Sequence, residues 1–203
     1  AAMAKAAAKS VTVKPFIDQI PELPPTIPIY YEDVSQQNFE ASVLGCLPLV
    51  GDDIPTGATH GIILDKTCFY PEGGGQEADF GTLSCDYASN SVLDTRKVGE
   101  LIIHLTDGSF EVGDMVHGEI DWLRRRQLMD HHTAVHIVGG AARRLLGPHI
   151  YQAGANKSVE SARLDITHHK RLSRADLDAI ESLANEVVHS VARTEKITLD
   201  RKD

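Results

Sequence analysis

Met115-Val-His-Gly-Glu-Ile-Asp121 is the stretch where the chain changes its period, and the fold turns on it. Up to Ile120 the pattern is β. Short apolar runs at residues 27–31, 40–49, 60–64, 79–83, 91–97, 100–105 and 115–120 are separated by turn residues. Gly51-Asp52-Asp53, Asp107-Gly108 and Val112-Gly113-Asp114 are such turns. Spacing of this kind predicts a small barrel. From Asp121 to Leu146 the apolar positions Leu128, Val135, Val138, Ala142, Leu145 and their neighbours recur with a period near 3.6, which predicts a helix. Gly139-Gly140 weakens that helix by roughly 1 kcal/mol per glycine, and its small residues admit a closely packed backbone. Gly147-Pro148 ends it. Residues 150–154 and 158–166 then read as a β-pair, Ser173 as the N-cap of a helix over 174–191, and residues 197–199 as a last strand. The fold class is therefore α+β: a small β-barrel over residues 26–120, followed by an α+β part over 121–203. Residues 1–25 read as a linker or lead-in, where Pro15, Pro21, Pro24 and Pro25 favour extended chain.

Composition narrows the function. No apolar run approaches the length of a membrane span, and residues 1–9 lack the apolar stretch of a signal peptide. Cys46, Cys68 and Cys85 are an odd, unpatterned set, which reads as reduced thiols in a cytoplasmic protein. Net charge is −9, but unevenly spread. Residues 1–120 hold 6 Lys and Arg against 18 Asp and Glu, whereas residues 121–203 hold 14 against 11. The second part is thus net positive, with clusters at Arg124-Arg125-Arg126 and Arg143-Arg144. Local positive charge of this kind suits phosphate contacts, and equally a solvated helix face of mixed sign.

Two motifs carry chemistry. In Asp65-Lys-Thr-Cys-Phe-Tyr-Pro-Glu-Gly-Gly-Gly-Gln76, a strand end runs into a glycine turn, and Gly73, Gly74 and Gly75 let a backbone approach a ligand. The plain alternative is a flexible hairpin loop. In Asp130-His-His-Thr-Ala-Val-His136, His132 and His136 share one helix face and can grip one metal ion. Asp130 or Asp165 can orient such a ligand. His131 points about 100° away from His132. Thr133 in place of glutamate excludes the His-Glu-x-x-His protease motif. His168 and His169 are adjacent, and neighbours on a strand would point to opposite faces, so the pair reads as a turn or surface feature. Cys68, in an apolar strand, reads as a buried, inert thiol.

These residues, with Pro25-Thr26, Tyr30-Tyr31-Glu32-Asp33, Tyr151-Gln152-Ala153-Gly154 and Arg163-Leu164-Asp165, resemble the editing domains of alanyl-tRNA synthetases, in their archaeal form, and the stand-alone alanyl-tRNA editing proteins. The resemblance implies hydrolysis of seryl or glycyl esters misattached to alanine tRNA, with the acceptor end of that tRNA as partner. It implies that Thr67 senses the serine hydroxyl. A pocket cannot exclude alanine by size, so it must reject it through a polar group left unpaired. Gln76 and Gln152 can hold the terminal adenosine or the attacking water, and Gly73, Gly74, Gly75, Arg143 and Arg144 contact the substrate tRNA. It implies zinc on His132 and His136, completed by a Cys-x-x-x-His motif. No such motif follows His136, and the last cysteine is Cys85. Residues 121–203 therefore read as an incomplete editing domain holding half a zinc site. The remaining ligands are expected beyond Asp203 and the parent synthetase domains upstream. Zinc binding and activity of these residues alone are expected to be weak or absent. The alternatives are a stand-alone editing protein, a non-catalytic tRNA-binding module, and an unrelated zinc hydrolase.

Overall fold

The computed structural model describes residues 22–190 apart from residue 52. The strand expected at 197–199 and most of the lead-in lie outside these residues. Two compact units are present, one ending at Gln127 and the other beginning at Leu128.

The first unit is a closed six-stranded antiparallel barrel. Its strands are β2 (Asn38–Pro48), β3 (His60–Leu64), β5 (Gly81–Ser84), β6 (Ser89–Val98), β7 (Leu101–Thr106) and β8 (Met115–Ile120), in the order β2-β3-β7-β6-β5-β8. Alternation builds the barrel: in β8, Val116, Gly118 and Ile120 face inward while Met115, His117 and Glu119 are exposed. The register pairs Gly118 with Phe39, and the ring occupies the space where a side chain at 118 would sit. Phe39, Val43, Ile62, Leu64, Phe69 and Val116 fill the interior. A second cluster of Ile63, Leu101, Ile103 and Leu105 packs on the other face of β3 and β7, which buries β7 on both sides. Two short strands lie outside the barrel sheet: β1 (Ile27–Pro28) runs parallel to β4 (Lys66–Thr67). A 3-10 turn (Ile29–Tyr31) stands where the sequence predicts a continuous strand.

Helix α1 (Trp122–Leu146) follows and crosses the boundary between the units. In the second unit it is joined by the antiparallel pair β9 (Gln152–Lys157) and β10 (Ala162–Ile166), then by α2 (Arg174–His189). Ala141, Ala142, Ile150, Ile180 and Ala184 form this unit's core. Ser173 caps α2 through a reciprocal pair with Asp176: each side chain accepts the other's backbone N–H. The β-barrel followed by an α+β part is the class the sequence predicts. No described helix is long and apolar enough to cross a membrane.

Candidate functional site

The glycine segment is a tight hairpin turn. Gly74 and Gly75 have φ of 59° and 77°, a left-handed pair that glycine adopts at no steric cost. Gly73 and Gln76 exchange backbone hydrogen bonds of 3.1 and 2.9 Å across it. The base of the loop is closed by Tyr70 and Asp79. The Tyr70 N–H donates to the Asp79 carboxylate at 2.7 Å, and the Asp79 N–H donates to the Tyr70 carbonyl at 3.0 Å. Gln76 is buried. Tyr30, from the sequence Tyr30-Tyr31-Glu32-Asp33, packs edge-on against Tyr70 at 5.3 Å, which brings two separated motifs together.

Thr67 lies just before this loop and is fully buried. His104 donates its Nδ1–H to the Ile62 carbonyl at 3.0 Å, which leaves Nε2 as an acceptor for the Thr67 hydroxyl at 2.8 Å. The same hydroxyl accepts the Phe69 N–H at 3.0 Å. Complete burial pushes the His104 imidazole down to a pKa of about 4, so it is neutral at ordinary pH. Thr67 therefore anchors the base of the loop. Sequence reasoning passed over His104. The available signal was a lone histidine inside the apolar run Leu101–Thr106. Burial likewise pushes the Cys68 thiol up to about 11, consistent with an inert residue.

Within the arginine cluster at 124–126, the reading as a solvated, phosphate-facing run fails for Arg124 and Arg125. Arg125 is 3% exposed. Its guanidinium forks onto Asp79 and donates to the Cys68 carbonyl at 2.6 Å. Arg124 donates to the Ala78 carbonyl and to Glu77, and lies 3.9 Å over the Phe80 ring. Both arginines hold the far end of the glycine loop to the first turn of α1, so their charge is consumed within the barrel unit.

In the second unit, His132 and His136 sit one turn apart on α1 with ring centres 5.0 Å apart. Burial, the Lys157 charge and His136 all push the His132 imidazole down, which favours its neutral form. His131 is turned instead to the Ser158 carbonyl at 2.7 Å. A cavity of about 230 Å³ opens beside His136, with Gly139, Gly140, Arg143, Tyr151 and Gln152 in its wall. The glycine pair thus lines open space: a methyl group at Gly140 would meet nothing within 4 Å. The cavity has room for a small amino-acid residue. Arg143 is fixed at its edge, donating to the Ile150 carbonyl at 2.9 Å and lying 4.5 Å over the Tyr151 ring. Arg144 lines a second cavity with His136, Leu183 and Val187. Three residues singled out from the sequence, His136, Arg143 and Gln152, therefore share one cavity, joined by Tyr151 from the same motif as Gln152.

The family description of the class II (A) tRNA synthetases matches residues 2–124. The chain belongs to this family. Similar proteins include the alanine–tRNA ligases of Natronomonas pharaonis, 48% identical over 171 residues, and of Metallosphaera sedula, 45% identical over 174. The matches cover 84% and 85% of this chain and 18% of each of those ligases. The ligase of Ignicoccus hospitalis is 43% identical over 180 residues, 89% of this chain and 19% of its own. The chain thus spans about a fifth of the length of these relatives. The resemblance to alanyl-tRNA synthetases drawn from residues 65–76 and 130–136 agrees with these matches.

Proposed function

We propose that the chain is the editing region of an alanine–tRNA ligase, hydrolysing the ester of serine or glycine misattached to alanine tRNA. The observation that carries this reading is the 230 Å³ cavity that gathers His136, Arg143 and Gln152. An aminoacyl ester is already activated, so a shaped pocket, a held water and a polarising group suffice to cleave it. The Gln152 amide offers both a donor and an acceptor to place a water or a ribose hydroxyl. Arg143 keeps donors beyond the one given to Ile150, and its charge favours a phosphate or a developing oxyanion. Arg144, in the last turn of α1, adds positive charge for the tRNA backbone. In the barrel unit, Thr67 can sense a serine hydroxyl only through the capacity left after its bonds to His104 and Phe69. Gln76, Gly73, Gly74 and Gly75 are the loop that would face the acceptor end.

His132 and His136 suit zinc as two imidazoles on one helix face, with His132 held towards its neutral form by burial. The nearby Lys157 charge opposes a cation there, so firm binding requires an anionic third ligand such as the cysteine that the resemblance implies. When bound, zinc supplies a Lewis acid for an ester carbonyl or for water.

The test is deacylation of seryl-tRNA(Ala). The chain alone is expected near background. Joined to the segment that follows the matching region in the Natronomonas pharaonis relative, it should be active. In that longer chain Gln152→Ala and His136→Ala should each lower the rate by about a hundredfold. Full activity in both variants would reject the proposal.

A further inference from the structure

Three imidazoles meet away from the cavity just described. The His149 Nε2 and His168 Nδ1 atoms lie 2.9 Å apart, and their rings stack at 5.2 Å with 21° between planes. The His169 ring centre is 5.5 Å from that of His149 and 4.9 Å from that of His168. One nitrogen from each ring falls within 4.8 Å of the other two. Among the described residues this is the one group of three or more potential ligands so placed.

The sequence reads His168 and His169 as a turn or surface feature, because neighbours on a strand would face opposite ways. In the structure β10 ends at Ile166 and both histidines follow it, where strand alternation does not apply. Both rings turn to His149, which follows the end of α1.

We propose that His149, His168 and His169 form a binding site for a divalent transition metal, zinc being the ion intended, separate from the His132 and His136 pair. Tetrahedral zinc with bonds of about 2.0–2.1 Å to nitrogen holds its ligand atoms about 3.3 Å apart. The widest spacing here, at most 4.8 Å, must close by about 1.5 Å, and the closest pair must open by about 0.4 Å. Rotation of His149 and His169, both exposed, supplies such movements without disturbing a core. The proton now shared between His149 and His168 is displaced when the metal binds.

The backbone beneath the rings is already fixed. Thr167, the residue before His168, donates its hydroxyl to the His149 carbonyl at 2.7 Å and accepts the Tyr151 N–H at 2.8 Å. Its own N–H donates to the Tyr151 carbonyl at 2.9 Å. One side chain thus holds the two ligand-bearing segments in register, so the metal need not order them. The Asp176 carboxylate, locked by its capping pair with Ser173, is close enough to feel a charge on His168 and favours a cation there. Lys170 acts against it from beside His169. Three imidazoles suit the borderline ions, with copper bound more tightly than zinc, and nickel more tightly than cobalt, along the usual order of affinities. Three protein ligands leave a fourth position for water or for a group brought by a partner.

The site is tested on the 203-residue chain, stripped with chelator and titrated with zinc alone in a calorimeter. One equivalent of zinc is expected to bind. His149→Gln and His168→Gln should each weaken binding at least tenfold, with circular dichroism unchanged because the rings lie outside the core. His132→Gln combined with His136→Gln should leave it intact. Cobalt in place of zinc should give the visible absorption of a four-coordinate nitrogen site, lost in His149→Gln. Absence of stoichiometric binding would overturn the proposal, as would binding abolished by the His132 and His136 changes but untouched by His149→Gln. Neither result would overturn the editing reading, which rests on the cavity beside His136.

Discussion

Arg125→Leu is expected to destabilise the barrel unit by about 3–5 kcal/mol, the usual cost of removing one partner from a buried ion pair. Asp79 is fully buried, and burial already pushes its carboxyl up against the pull of Arg125. Without the guanidinium, the folded state must keep an unpaired carboxylate or take up a proton. The Cys68 carbonyl also loses its donor. The deficit should shrink as the pH falls, because protonated Asp79 is tolerated where the carboxylate is not. Changing both residues to leucine should restore part of the loss. The single tryptophan, Trp122, packs against the barrel core and reports the unit's unfolding in denaturant. A loss below about 1 kcal/mol would show that the pair is not what holds the glycine loop to α1.

The second large effect concerns the bond between Thr67 and His104. The imidazole titrates near pH 6.5 when unfolded and near 4 when folded. Between those values the unfolded chain binds a proton that the folded chain does not. Stability from this group is complete above pH 6.5 and is lost as the pH falls towards 4. The total is about 3 kcal/mol, at 1.36 kcal/mol per pKa unit. His104→Gln should flatten that part of the profile. Thr67→Val keeps the shape but strands the Phe69 N–H and His104 Nε2, at about 1–3 kcal/mol each. The substitution that looks neutral from sequence is therefore expected to weaken the barrel. Loss of serine selectivity in this variant counts only for molecules shown to be folded. A pH profile identical in the parent and His104→Gln would contradict the assignment of this group.

The alternation of apolar residues made the barrel strands legible, and β3 and β8 begin and end where their sequences predict. Residues 27–28 and 66–67 fell within stretches read as strand, but the pairing of β1 with β4 was not legible, because a parallel contact across almost forty residues leaves no local period. Ser173 was readable as a cap because the reciprocal bond needs only residues three apart. Within the second unit, helical spacing pointed to His136, charge to Arg143, and the resemblance to the stretch Tyr151-Gln152, while the guanidinium above Tyr151 is a fact of the structure alone. Charge counting misread Arg124 and Arg125: a sequence gives the number of cations but not the buried carboxylate that claims one of them.

The account's central claim is that the cavity beside His136 receives the aminoacyl group. Its most direct test is a magnetic-resonance titration of the 203-residue chain with an adenosine bearing serine through an amide at the 3′ position. The amide mimics the ester and resists cleavage, so neither zinc nor turnover is needed. The account predicts saturable shifts at the backbone amides of Gly139, Gly140 and Gln152, weakened by Gln152→Ala. Shifts confined to other residues, or none at these amides at saturating ligand, would contradict it.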